Sequence, residues 1–132
     1  MKLITRDTDY AIRALCYLAA SDKDMVTASE LVSALRIPRP FLRKLLQILK
    51  KKRILESYKG RGGGFLLPKA ADKVVLLDVI TAFQGPLRFN ECFFKKKLCP
   101  DTKACVLRRK IIAIERYVAS QLNTVTIASL SR

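Results

Sequence analysis

Three of the four cysteines, Cys92, Cys99 and Cys105, stand close together in a chain that contains no histidine. The gaps between them hold six and then five residues, so no pair has the C-x-x-C spacing of a zinc ribbon or a thioredoxin-type site. Three thiolates on a loop that runs into a helix can hold an iron–sulfur cluster if a fourth ligand comes from elsewhere. Lys95, Lys96, Lys97 and Lys103 lie among them and favour the thiolate form electrostatically. The same residues could instead be spare thiols or a disulfide switch such as Cys92–Cys99. Cys16 differs, because it falls on the apolar stripe of a helix and reads as a small buried hydrophobe. The missing histidine excludes His-based triads and Cys₂His₂ zinc sites, and no paired-carboxylate cleft is evident, so the expectation is that the chain is not an enzyme.

The second chemical feature is charge. Lys and Arg number 26 against 11 Asp and Glu, a formal net charge of +15 in 132 residues. A surplus of that size points to a polyanion, either nucleic acid or an anionic membrane face. It is also concentrated: ten Lys/Arg and one acid, Glu56, lie between Arg36 and Arg61. Arg39, Arg43, Lys44, Gln47, Lys50 and Lys51 fall on the outward side of one amphipathic segment. Arg suits the O6 and N7 acceptors of guanine, and Gln suits N6 and N7 of adenine. A solvated cationic face explains the charge alone. It does not explain why a turn and a glycine-rich hairpin adjoin it. An amphipathic membrane helix would need bulky residues at an exposed margin, whereas this helix spends its apolar side on a core.

The elements that position these residues follow from periodicity and punctuation. Asp7-Thr8-Asp9 can cap a first helix to about Ala20, with Ile12, Leu15, Cys16 and Ala19 as its apolar stripe. Thr27-Ala28-Ser29-Glu30 fits a capping box opening a helix to Leu35. After the break Arg36-Ile37-Pro38, Pro40 suits the first turn of a third helix ending near Lys52, with Phe41, Leu42, Leu45, Ile48 and Leu49 inward. Ile54–Tyr58, the turn Lys59–Gly64 and Phe65–Leu67 read as a hairpin. Phe65-Leu66-Leu67 after the glycines is a strand, so Gly60, Gly62, Gly63 and Gly64 form a wing tip needing positive φ rather than a P-loop. Lys59 and Arg61 beside it can reach phosphates or the minor groove. Leu76–Gln84 is a fourth helix stopped by Gly85-Pro86. A long helix is expected from about Lys103 to Leu122, whose seam Leu107, Ile111, Ile114, Val118, Leu122 has the spacing of paired helices. The tail Thr124–Leu130 folds back or frays.

These elements make a mainly α fold with a small β-hairpin: a winged helix-turn-helix over residues 1–86, a cysteine-containing sensor loop over 87–104, and a dimerisation helix with tail over 105–132. Half the residues are apolar, enough for a core. No apolar run reaches membrane-spanning length, and no signal peptide is visible at the N-terminus, so a cytoplasmic location is expected.

The assembled parts resemble the bacterial IscR/NsrR-like transcriptional regulators, winged-helix dimers that sense iron–sulfur status, nitric oxide or related stress. The resemblance runs over nearly the whole chain. It rests on Thr8-Asp9-Tyr10-Ala11-Ile12-Arg13-Ala14-Leu15, on the wing Gly60-Arg61-Gly62-Gly63-Gly64-Phe65-Leu66-Leu67, on Asp78-Val79-Ile80 running to Gly85, on the three cysteines, and on Thr126-Ile127-Ala128-Ser129-Leu130. It implies a homodimer on a roughly palindromic DNA operator, with Cys92, Cys99 and Cys105 as iron–sulfur ligands whose cluster state controls how residues 39–52 meet DNA. The chain departs from the family in two ways. Its first cysteine gap is one residue longer than the usual five. The histidine that completes a 2Fe–2S site in IscR-type members is replaced by Arg108, so the resemblance favours a 4Fe–4S cluster of the NsrR type. There the fourth ligand is an aspartate from the first helix of the partner subunit, a position matched by Asp9. Asp9 also reads simply as an acid at the positive end of its own helix. Asp101 and Glu91 are further carboxylates within the loop.

Overall fold

The computed structural model describes residues 2–89 and 105–131. Cys92, Cys99, Lys95, Lys96, Lys97 and Lys103, and with them most of the expected sensor loop, lie outside the described residues. The elements run α1 (Arg6–Ala20), α2 (Ala28–Leu35), α3 (Arg39–Lys51), β1 (Glu56–Tyr58), β2 (Gly64–Leu66), a single 3-10 turn (Ala71–Lys73), α4 (Leu76–Gln84), α5 (Val106–Leu122) and α6 (Ile127–Leu130). Helices α1 to α5 and the hairpin are those expected, with shifts at their ends, whereas α6 lies in the tail, where no helix was expected.

The first shift is at the start of α1. Thr5, not the Asp7–Asp9 run, is the N-cap: its backbone is extended and its side chain accepts the N–H of Thr8. Thr8 is fully buried, and its hydroxyl donates to Oε1 of Gln84 at 2.7 Å. The buried stripe of α1 is Ala11, Ala14, Leu15 and Leu18, one position round the helix from the expected one. Ile12, Cys16 and Ala19 are half-buried at its margin. The reason lies in tertiary packing. Helices α4 and α6 both lie against α1, and alanines let neighbouring backbones approach closely where larger residues would not.

Helix α2 opens on Thr27, whose side chain accepts the N–H of Glu30 at 3.1 Å. Only this half of the expected capping box forms. Glu30 instead accepts from Lys23 Nζ at 2.6 Å and from the Tyr17 hydroxyl at 2.9 Å, linking α2 to α1 and the loop between them. Helix α3 buries Leu42, Leu45, Leu46 and Leu49, while Phe41 and Ile48 are half-buried. Leu46 is therefore a core residue outside the expected set. Tyr10 on α1 meets Phe41 edge to face, with ring centroids 5.6 Å apart, and the Arg6 guanidinium lies over the same ring at 5.8 Å.

The hairpin pairs antiparallel with Glu56 opposite Leu66, Ser57 opposite Phe65 and Tyr58 opposite Gly64. Its first strand starts later than expected because Ile54 closes α3, its N–H donating to the Leu49 carbonyl at 3.0 Å. Val26 joins the sheet through two hydrogen bonds with Phe65, of 3.0 and 2.8 Å, which fasten the wing to the loop before α2. At the far end of the chain the tail folds back. The Leu76 N–H donates to Val125 at 2.8 Å and the Ile127 N–H to Val74 at 2.9 Å. Thr126 and Ser129 form a complete capping box, and Ile127 is fully buried beside α1.

Helix α5 is the exception to this packing. None of its 17 residues, about 25 Å of helix, is fully buried, and Ile111, Val118 and Leu122 of the expected seam are half-buried. Val106, Leu107, Ile114 and Tyr117 are 60, 65, 49 and 65% exposed. Among the described residues, no helix is long and apolar enough to cross a membrane.

Candidate functional site

The outward face of α3 carries the expected residues. Arg39, Arg43, Lys44, Gln47, Lys50 and Lys51 are all exposed, opposite the buried leucines. Lys59 and Arg61 are exposed on the wing. The ion pairs Arg13–Asp9 and Lys23–Glu30 involve none of these cations. Arg39 is held: its Nη2 donates to Ser29 Oγ on α2 at 2.7 Å, tying the start of α3 to the preceding helix. Ser29 was not among the expected site residues. Its only sequence signal is its place in the first turn of α2.

The wing owes its shape to glycines used in two ways. Gly60 and Gly62 take φ of 95° and 72° in open space. Gly63 and Gly64 answer to close approach: a Cβ would lie 2.2 Å from the Tyr58 carbonyl oxygen and 2.7 Å from that of Val26. The run thus fixes the wing tip, carrying Lys59 and Arg61, against the body. Tyr58 is 54% exposed beside Lys59 in the chain, and it too was not expected as a surface feature of the wing. An aromatic ending a short strand before a basic turn was the available signal.

Of the cysteine site, Cys105 and Asp9 are described. Cys105 is half-buried and is the N-cap of α5, its Sγ accepting the backbone N–H of Arg108 at 3.5 Å. The long helix therefore begins just after the cysteine, at the end where the macrodipole favours negative charge. Asp9 lies in the first turn of α1, where its carboxylate accepts from Arg13 Nε at 3.0 Å with 47% of its side chain exposed. Among the described residues, no group of three cysteines and carboxylates comes together within one chain. The fit to a cluster therefore rests on donor chemistry: a thiol at a helix start with an N–H directed at its sulfur suits an anionic iron–sulfur ligand. Cys16 sits apart, half-buried against the core, and burial pushes its thiol pKa up.

The residues leading into the cysteine segment are anchored. Gln84 closes α4, and besides Thr8 it accepts from the Thr5 N–H at 3.0 Å and donates to the Leu3 carbonyl at 3.1 Å. The Phe89 N–H donates to Glu115 Oε1 on α5 at 2.7 Å.

Comparison with known proteins bears directly on this arrangement. The model of the Rrf2 family, described as iron-dependent transcriptional regulators, matches residues 4–132. The chain belongs to the Rrf2 family of transcriptional regulators. A relative from Aquifex aeolicus (strain VF5), assigned as an HTH-type transcriptional regulator, is 31% identical over 123 residues, covering 92% of this chain and 85% of its own. Two solved structures share the fold. The global cysteine regulator CymR of B. subtilis superposes with a TM-score of 0.80 at 20% identity, over 99% of this chain and 97% of that one. IscR of T. potens does so at 0.74 and 19%, over 98% and 85%. As an Rrf2 member the chain is a DNA-binding transcriptional regulator, and its hairpin is the wing of a winged helix-turn-helix.

Proposed function

We propose that this regulator is a homodimer that reads a roughly palindromic operator with α3, under the control of an iron–sulfur cluster held by Cys92, Cys99 and Cys105. The observation that carries the DNA reading is the one-sided α3, leucines inward and Arg43, Lys44, Gln47, Lys50 and Lys51 outward, beside an exposed basic wing. Arg43 and Gln47 read base edges, and Lys59 and Arg61 hold phosphates. The dimer reading is supported by the exposed apolar residues of α5, at spacings that suit a second helix. A two-fold dimer presents two copies of α3, hence the palindrome.

The cluster reading is supported by the family description and by Cys105 at the start of α5. A 4Fe–4S cluster, when bound, would supply a redox- and nitric-oxide-sensitive group joining the cysteines. Asp9 of the partner subunit is the proposed fourth ligand. In that role its carboxylate, which accepts from Arg13 Nε at 3.0 Å, would supply an oxygen ligand to the cluster. The chain's own residues then do the transmission: Cys105 bears on α5, and Gln84 bears on the start of α1. A cytoplasmic location accords with free thiols.

Anaerobic purification with iron and sulfide analysis, and Mössbauer spectra, test the sensor. Bound iron and sulfide that are lost in Cys105→Ser, together with operator affinity that changes on cluster loss, are expected. Colourless protein after reconstitution, with a disulfide among the three cysteines on peroxide treatment, would establish the thiol-switch alternative instead. A monomeric mass in light scattering would refute the dimer.

A further inference from the structure

Among the described residues other than glycine, positive φ occurs twice, at Arg36 (55°) and Arg53 (61°). Each closes a helix of the helix-turn-helix. The Arg36 N–H donates to the Val32 carbonyl at 2.9 Å and ends α2. At the other end of the unit, Arg53 donates to Lys50 and Ile54 to Leu49, both at 3.0 Å. That pair of bonds is a Schellman motif with Arg53 in the left-handed position. Glycine is the residue normally found there, because a Cβ in this conformation crowds the following carbonyl oxygen. Both arginines are exposed. Among the described residues, neither guanidinium has a hydrogen bond or ion pair to offset the strain, and neither side chain contributes to the core.

We propose that Arg36 and Arg53 are phosphate anchors that grip the DNA backbone at the two ends of α3. The inference rests on the reading of α3 as the recognition helix. Its 13 residues make about 20 Å of helix, longer than the roughly 12 Å width of a major groove. Both ends of α3 therefore come up against sugar–phosphate walls. An arginine at each end presents a guanidinium fork that matches a phosphate, and it carries its charge at every physiological pH. Glycine would relax the backbone at both places and forfeit that contact. Such anchors fix the register of α3 without reading sequence, leaving discrimination to Arg43 and Gln47.

Stability and DNA binding then respond in opposite directions to one substitution. The full-length dimer, wild type and variant, is titrated against a labelled duplex selected from a random library by the wild-type protein, and against an unrelated duplex of equal length, over a range of salt. Arg36→Gly and Arg53→Gly each raise Tm by a few degrees. Each also lowers the log–log salt slope by about 2, one phosphate per protomer, and the double variant by about 4, with roughly ten- to hundred-fold weaker binding to both duplexes. Arg36→Lys and Arg53→Lys keep the slope, since they keep the charge. Glycine variants with unchanged slope and affinity would overturn the proposal, as would glycine variants that melt lower than wild type. Failure of the wild-type protein to enrich any duplex would sink the recognition-helix reading itself, and the inference with it.

Discussion

The docked tail offers the most quantitative test of how the fold supports α5. Ile127 is fully buried among residues of α1, Val74 and Val79, yet it belongs to a four-residue helix. Ile127→Ala removes three carbons from a packed site, a change that costs about 2–5 kcal/mol when the cavity persists. Here the tail has an escape that a central core residue lacks. It can detach, giving up the Leu76–Val125 and Ile127–Val74 hydrogen bonds and the Thr126–Ser129 box. The cost is therefore capped near the lower part of that range, about 2–3 kcal/mol, and a chain of this size should lose on the order of 10 °C in Tm. Urea denaturation at fixed protein concentration measures the first quantity. Hydrogen exchange at the Leu76 and Ile127 amides reports detachment, with protection lost there before the α3 amides open. Since the tail also anchors the C-terminal end of α5, operator affinity should fall alongside. A loss below about 1 kcal/mol with undiminished protection at both amides would refute the claim that the tail is an integral part of the fold.

Other outcomes follow from the site. Arg43→Ala or Gln47→Ala should erase preference between operator variants, whereas Lys59→Ala or Arg61→Ala should weaken all sequences alike; a base-substituted operator series distinguishes them. Gly64→Ala should destabilise by about 1–3 kcal/mol in thermal unfolding, because its Cβ would meet the Val26 carbonyl at 2.7 Å, and should weaken DNA binding by displacing the wing. The Lys23 ammonium, and then the Tyr17 hydroxyl, hold the Glu30 carboxyl below its ordinary range, and Glu30 in turn holds Lys23 and Tyr17 above theirs. A depressed carboxyl stabilises the fold above its unfolded pKa and loses that contribution as pH falls through its folded pKa. Raised Lys23 and Tyr17 contribute below their unfolded pKa values and lose that as pH rises through the folded ones. Glu30→Gln should therefore flatten both limbs of a urea-midpoint profile against pH, modestly, since the groups are solvent-facing.

Much of this was legible in the chain. The Thr27 cap, the Pro40 start of α3, the wing glycines and the Gly85 stop are local signals, because caps and positive φ depend on a few neighbouring atoms. The basic face of α3 was legible too, since a helix with Leu42, Leu45 and Leu49 inward must present Arg43 and Gln47 outward. The stripe of α1 was misplaced by one position. Ile12 and Cys16 look more apolar than Ala11 and Ala14, and only the close approach of α4 and α6 favours the alanines. Glu30 left its capping box because Lys23 and Tyr17, seven and thirteen residues before it, came within reach.

Sequence alone thus determined the types of α1 to α5 and of the hairpin, the polarity of the reading helix and the family, since these follow from periodicity, turn chemistry and residue identity. Tertiary structure decided what depends on distance between remote segments. It placed Ile127 against α1 and Gln84 on the cap of the first helix. It also left Val106, Leu107, Ile114 and Tyr117 of α5 exposed and put Arg36 and Arg53 in a backbone conformation that glycine would occupy more easily.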